Sequence, residues 1–169
     1  MPEHPDCRDQ DIYHKTNLFL EDIFFSNRDN LQKVRLLAEK IKEGIEKINY
    51  FVQQGTANVC PVCKDVCCIS KHGYYNFEDL VYLYALGLKP PSLEFGRDDA
   101  EPCQFLTPNG CSLDRPFRPS GCNWFFCESL FDAMEPMPGY YQFDDDIRSI
   151  AELWIKMMEE FHSVSNDRI

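Results

Sequence analysis

Four cysteines crowd into the nine-residue stretch CPVCKDVCC: Cys60, Cys63, Cys67 and Cys68. Cys103, Cys111, Cys122 and Cys127 follow, so eight of the nine cysteines lie between positions 60 and 127 and only Cys7 stands apart. Thiolates this close repel one another unless a cation or a covalent bond neutralises them. A metal ion, an iron–sulfur cluster or disulfides would do so. The spacing Cys60-x2-Cys63 turns two sulfurs onto one ion at about 2.3 Å each. Cys67 adds a third sulfur from the same loop, and Cys122-x4-Cys127 is the natural distant source of a fourth. Such a set suits zinc or a 4Fe–4S cluster. Cys67 and Cys68 are neighbours whose side chains tend to point apart, so they are not expected to serve one metal equally. Cys103 and Cys111 flank a turn at Asn109-Gly110 and could face one another. Eight sulfurs permit two four-coordinate sites, or one site with spare thiols, and the spacing does not choose.

The opening residues MPEHPDCRDQDIYHK carry no basic-then-apolar leader, and no apolar run approaches the length needed to span a bilayer. The expectation is a cytoplasmic chain, in a compartment where clustered cysteines bind metal rather than pair with one another. With 17 Lys and Arg against 28 Asp and Glu, the formal net charge is −11. A divalent ion among four thiolates would add about −2 more. A chain this acidic is repelled by nucleic-acid phosphate and by anionic lipid, so neither nucleic acid nor membrane is expected as a partner.

Around the cysteines stand further candidates. Arg118, and in the same way Arg115, can donate to a thiolate-rich site and offset its charge; Arg118 is the candidate cofactor contact. His72, four residues after Cys68, could ligate zinc, but it is read as a satisfied or solvated histidine, since the cysteines already suffice as ligands. Cys7, in a polar stretch, is expected to be a free, exposed thiol. Tyr74, Tyr75, Tyr82, Tyr84, Tyr140 and Tyr141 are expected to pack half-buried around the site. The chain contains no GxGxxG, no GxxxxGK[ST] and no HExxH, and only eight glycines. This weighs against a nucleotide- or methyl-donor-dependent enzyme, and no catalytic residue is assigned.

These groups must be positioned by three stretches: a helical segment over 1–57, the cysteine-rich region over 58–134 and a C-terminal helix within 135–169. Ile12 to Phe25 reads as one helix. In the next, Leu31, Val34, Ala38, Ile41, Ile45, Ile48 and Val52 recur at three- and four-residue steps, a short heptad seam. That seam predicts packing on the chain's own domain, with a homodimer or partner interface through the 31–52 helix as the alternative. Gly55 is expected to end this helix. Asn76 with Asp79 predicts a capped helix through Leu80, Leu83 and Tyr84. The proline-rich stretch that follows, to Pro119, predicts loops, with a tight turn at Pro108-Asn109-Gly110. So little regular structure is hard to hold by apolar burial, and structural zinc is worth about 10–16 kcal/mol in small peptides. Trp124, Phe125, Phe126, Leu130 and Phe131 suggest a short apolar helix or a wall beside the site. The last helix, Asp145 to His162, presents Ile147, Ile150, Trp154, Met157 and Phe161, with Asp144, Asp145 and Asp146 as an acidic start.

CPVCKDVCC, then PCQFLTPNGCSL and RPSGCNWFFC, resembles the CxxCxxCC family, the YkgJ-like zinc- or iron-chelating domain. The corresponding elements are Cys103 with Phe105-Leu106, Cys111 with Leu113, Arg118-Pro119, and the closing Cys122 and Cys127. The resemblance spans about residues 58 to 130 and implies a metal-chelating role with zinc or a four-iron cluster; some flagellin lysine methylases look similar in cysteine pattern. The chain departs from the pattern in three places. Its cluster reads CxxCxxxCC, the link from Cys111 to Arg118 is longer by a residue, and Asn123 stands where an arginine commonly follows the cysteine. The expected fold is mostly α, with N- and C-terminal helices around a loop-rich cysteine centre. Three functional classes remain: a metal-binding or iron–sulfur protein with a structural, redox or metal-handling role; an Fe–S-dependent oxidoreductase or methylase-like enzyme; and a structural zinc module for protein partners.

Overall fold

Helix-forming residues dominate both ends of the chain, and the fold follows them. The computed structural model describes residues 5–26, 30–63, 68, 73–98 and 100–166. Six α-helices stand among the described residues: α1 (Gln10–Ser26), α2 (Gln32–Val59), α3 (Phe77–Ala85), α4 (Gly121–Trp124), α5 (Glu128–Met134) and α6 (Tyr140–Asn166). Two 3-10 turns, Cys60–Val62 and Arg115–Phe117, and one two-stranded hairpin complete the described structure. The mostly α reading therefore holds.

The chain divides into two compact units. They do not follow the three sequence stretches, because α2 and α6 each contribute to both. One unit comprises residues 1–41, 74–97 and 153–169. In it α1 packs on α3, burying Leu20, Ile23 and Phe24. Phe24 stacks on Phe161 with centroids 5.8 Å apart and on Tyr84 at 6.1 Å. Helix α3 starts as predicted. The Asn76 side chain accepts from the Asp79 amide at 2.8 Å, and the Asp79 carboxylate accepts from the Asn76 amide at 3.0 Å. Cys7 belongs to this unit and corrects the sequence reading. It is buried, 3% exposed, beside the Thr16 hydroxyl, and desolvation raises its thiol pKa. The polar residues around it concealed that the chain folds back onto α1.

The second unit comprises residues 42–73 and 98–152. The seam residues are all buried, from Leu31, just before α2, in the first unit to Val52 in the second. The protein's own interior thus takes up the apolar face that a homodimer through residues 31–52 would have used. Helix α2 does not end at Gly55 but continues through it to Val59. Gly55 serves packing instead: a Cβ there would come within 2.6 Å of Met134 Cγ and 2.8 Å of its Sδ. The tight approach of α5 explains a glycine inside a helix, where propensity disfavours it. Gly44 is close to α6 in the same way, with Ile150 Cγ1 2.7 Å from its Cβ position.

Helix α6 starts at Tyr140, earlier than expected, so Asp144, Asp145 and Asp146 lie inside it rather than capping it. Asp144 pairs with Arg148 at 2.5 Å and Asp146 with Lys47 at 2.7 Å, which is the solvated-face role of acidic residues. Of its expected apolar face, Ile150, Trp154, Met157 and Phe161 are buried, and Ile147 is half-buried.

Candidate functional site

The cysteine region is assembled by short elements that could not stand alone. Leu106–Thr107 (β1) pairs antiparallel with Gly110–Cys111 (β2), Leu106 opposite Cys111 and Thr107 opposite Gly110. The predicted turn at Pro108-Asn109 closes this hairpin, with Gly110 at φ +102°, a conformation that favours glycine. The hairpin is tied to the first cysteine cluster by the Cys103 amide, which donates to the Cys68 carbonyl at 2.7 Å. The Arg115–Phe117 turn and α4 then carry the chain past Arg118 to Cys122 and Cys127.

These elements enclose a cavity of about 160 Å³ within the second unit. Cys60, Cys68, Cys103, Cys111, Cys122 and Cys127 all line it, so six of the eight candidate ligands share one space. Cys63 is half-buried but is not among the lining residues, and Cys67 and His72 lie outside the described residues. Arg118 and Arg115 line the cavity as well. The apolar wall comes from Val52 on α2, Phe105, Leu113, Phe125, Phe126 and Leu130, which bears out Phe125, Phe126 and Leu130 as a wall and leaves Phe131 partly exposed. No tyrosine lines the cavity. Tyr75, Tyr82 and Tyr84 are buried in the first unit and Tyr141 is 87% exposed, because α3, which carries two of them, belongs to the other core.

Gly73 adds a detail that the cysteine pattern did not signal. It sits at φ +68°, and a Cβ there would lie 3.0 Å from Cys103 Sγ and 2.9 Å from Phe105 Cδ2. The backbone therefore passes as close to a candidate sulfur as a glycine allows. The sulfurs also sense one another. Burial pushes the Cys122 thiol up to about 11, and Cys103, Cys68 and Cys111 push the same way, while Arg118 opposes them. Cys122 is exposed as a whole residue, at the start of α4, yet it borders the cavity, and crowding by other sulfurs there acts with burial.

Arg115, weighed from sequence only beside Arg118, is the more deeply placed of the two arginines, 8% exposed. Its Nε donates to Asn49 Oδ1 on α2 at 2.7 Å, and one terminal nitrogen makes a long 3.5 Å contact with the Cys122 carbonyl. Desolvation first, and then the neighbouring Arg118, lower its pKa to about 10, whereas Cys122 and Cys111 raise it. Arg118 Nε donates to the Leu113 carbonyl at 2.9 Å. Asn123, 1% exposed, donates to the Arg118 carbonyl at 3.4 Å, and its Oδ1 has no hydrogen-bond partner among the described residues.

The donor set suits a thiophilic centre: soft thiolates select zinc and iron–sulfur clusters over hard cations. Cys7, Cys63, Cys103, Cys111, Cys122 and Cys127 form no disulfide. Among the described residues, no three His, Cys, Asp or Glu side chains stand as a group that could hold an ion as they are. Six cysteines line a common space without forming such a group there among the described residues. That space is large. A single water needs about 10–15 Å³ measured in the same way, so the cavity offers roughly ten times that room.

No family model, curated protein or solved structure matches this chain. Among the described residues no helix is long and apolar enough to cross a membrane.

Proposed function

We propose that this protein binds a thiolate-ligated metal centre in its cysteine-walled cavity, with a 4Fe–4S cluster as the first reading. The observation that carries it is that six cysteines, spread from position 60 to position 127, line one cavity. Cys60, Cys68, Cys103, Cys111, Cys122 and Cys127 are the ligand pool, with Cys63 and Cys67 beside it in sequence. The size of the cavity favours a cluster, because sulfurs around one zinc ion sit only about 2.3 Å from it. Bound there, the centre would supply either one-electron redox chemistry or a structural cross-link between the hairpin, α4 and the end of α2. The resemblance to the CxxCxxCC family supports the same role. Thiols of this kind must stay reduced to bind metal, which suits a cytoplasmic setting.

Single zinc is the second reading, favoured by the Cys60-x2-Cys63 spacing; it would make the region a structural module for protein partners. An Fe–S-dependent enzyme remains the third, and it requires a substrate to reach the centre.

Anaerobic purification from iron-supplied cells separates them. A brown protein with iron and acid-labile sulfide supports a cluster, and a colourless one with stoichiometric zinc supports the module. Cys122→Ser and Cys103→Ser are expected to lose metal and melt at lower temperature. Unchanged metal content and melting in both would remove the ligand assignment.

A further inference from the structure

Arg115 presents a charge problem that the metal reading by itself leaves open. The residue is buried, and burying a guanidinium is strongly unfavourable unless an anion compensates it. No carboxylate pairs with it among the described residues, although the chain carries 28 Asp and Glu. Its hydrogen-bond acceptors, Asn49 Oδ1 and the Cys122 carbonyl, are both neutral. Its charged neighbour, Arg118, has the same sign and makes the placement worse. Arg115 shares the cavity wall with Cys111 and Cys122, two of the candidate ligands. Neutral thiols cannot offset a guanidinium, whereas a centre of four thiolates around zinc, or around an oxidised four-iron cube, carries a net charge of about −2.

We propose that Arg115 is the fixed counter-charge of an anionic centre in the cavity, oriented from α2 by Asn49, and that the site is thereby built for a centre of net negative charge. This rests on the metal-binding reading above. Arg115 is a positioning and electrostatic residue, not a ligand. Asn49 suits its task because it accepts the Nε hydrogen without withdrawing the charge, as a carboxylate in its place would. Arg118 contributes a second, half-buried positive group to the cavity lining.

The test uses the full chain and begins with loading. Wild-type protein that takes up neither zinc(II) alone nor iron with sulfide would refute the metal reading itself, and this inference with it. On whichever centre the wild type holds, Arg115→Gln is expected to weaken retention against a competing chelator by on the order of 10- to 100-fold, the range for residues that support metal ligands. Arg115→Lys keeps the charge and should lose less. If the centre is a cluster, Arg115→Gln should also lower its reduction potential, since the reduced form is the more negative.

Asn49→Asp separates charge from scaffolding. It gives Arg115 a carboxylate partner, so the metal-free protein should melt at an equal or higher temperature while metal retention falls. Gln53→Asp, exposed on the same helix, controls for net charge and should retain metal like wild type. A merely structural Arg115 predicts that Asn49→Asp holds metal as well as wild type. That result overturns the proposal, even if Arg115→Gln fails to fold, and so does wild-type retention in a folded Arg115→Gln.

Discussion

Replacing Gly55 by alanine sets helix propensity directly against packing, and the structure says which wins. Inside α2, alanine gains about 1 kcal/mol over glycine. The new Cβ would lie 2.6 Å from Met134 Cγ, 2.8 Å from its Sδ and 3.3 Å from Leu130 Cδ1. Met134 is 0% exposed, and Cγ is not the free end of its side chain, so relief requires α5 to shift. Overpacking of this kind costs about 1–3 kcal/mol, and the net expectation is a loss of about 1 kcal/mol. Met134→Ala should by itself cost about 2–5 kcal/mol through the cavity it leaves. In that background the obstruction is gone, and Gly55→Ala should stabilise by about 1 kcal/mol. The coupling between the two sites is then about 2 kcal/mol, in the range for residues in contact. Urea unfolding of metal-free protein followed by circular dichroism measures all four corners of the cycle. Chelator must be present throughout, because any ligand of the folded state adds its own stabilisation. Additive effects, or stabilisation by Gly55→Ala in both backgrounds, would refute the packing argument. The same contact supports the site, since Val52, Thr56 and Leu130 beside it line the cavity.

On the metal-binding proposal, Gly73→Ala should weaken metal retention. A left-handed conformation costs a non-glycine residue about 1–2 kcal/mol, and the added Cβ displaces Cys103 Sγ; wild-type retention in a chelator competition would contradict this. Asn76→Ala removes the capping box of α3 and is expected to cost about 1 kcal/mol in urea unfolding, with metal content unchanged. Tyr13 gives a pH dependence. Burial raises its phenol to about 12, whereas the unfolded chain ionises near the usual value of about 10. The native state therefore holds the proton longer, so its contribution is full below about pH 10 and falls as pH rises towards 12. The shift bounds this at about 3 kcal/mol, less after solvent screening. Tyr13→Phe should flatten the alkaline slope, even though it loses the hydrogen bond to the Pro91 carbonyl. Cys7 and Tyr84, raised in the same direction, keep part of the slope in the variant, so an unchanged slope would count against Tyr13.

Local chemistry made several elements legible in the amino-acid sequence alone. The Asn76–Asp79 cap, the heptad seam from Leu31 to Val52, the turn at Pro108-Asn109-Gly110 and the apolar residues after Cys122 each depend on neighbours a few positions away. So does the crowding of Cys60, Cys63, Cys67 and Cys68, which states a need for neutralisation wherever the chain goes. Tertiary structure decided what depends on approach between distant segments. Gly55 resembled a helix stop because propensity knows nothing of Met134 lying 2.6 Å from its Cβ position. Cys7 resembled an exposed thiol because its neighbours are polar, yet it is buried beside Thr16 on α1. Arg115 carried no sign of its depth, since burial and the hold of Asn49 come from a helix 66 residues away in sequence. Spacing can bring two sulfurs together within one loop, but only the tertiary structure lines one cavity with cysteines from positions 60 to 127.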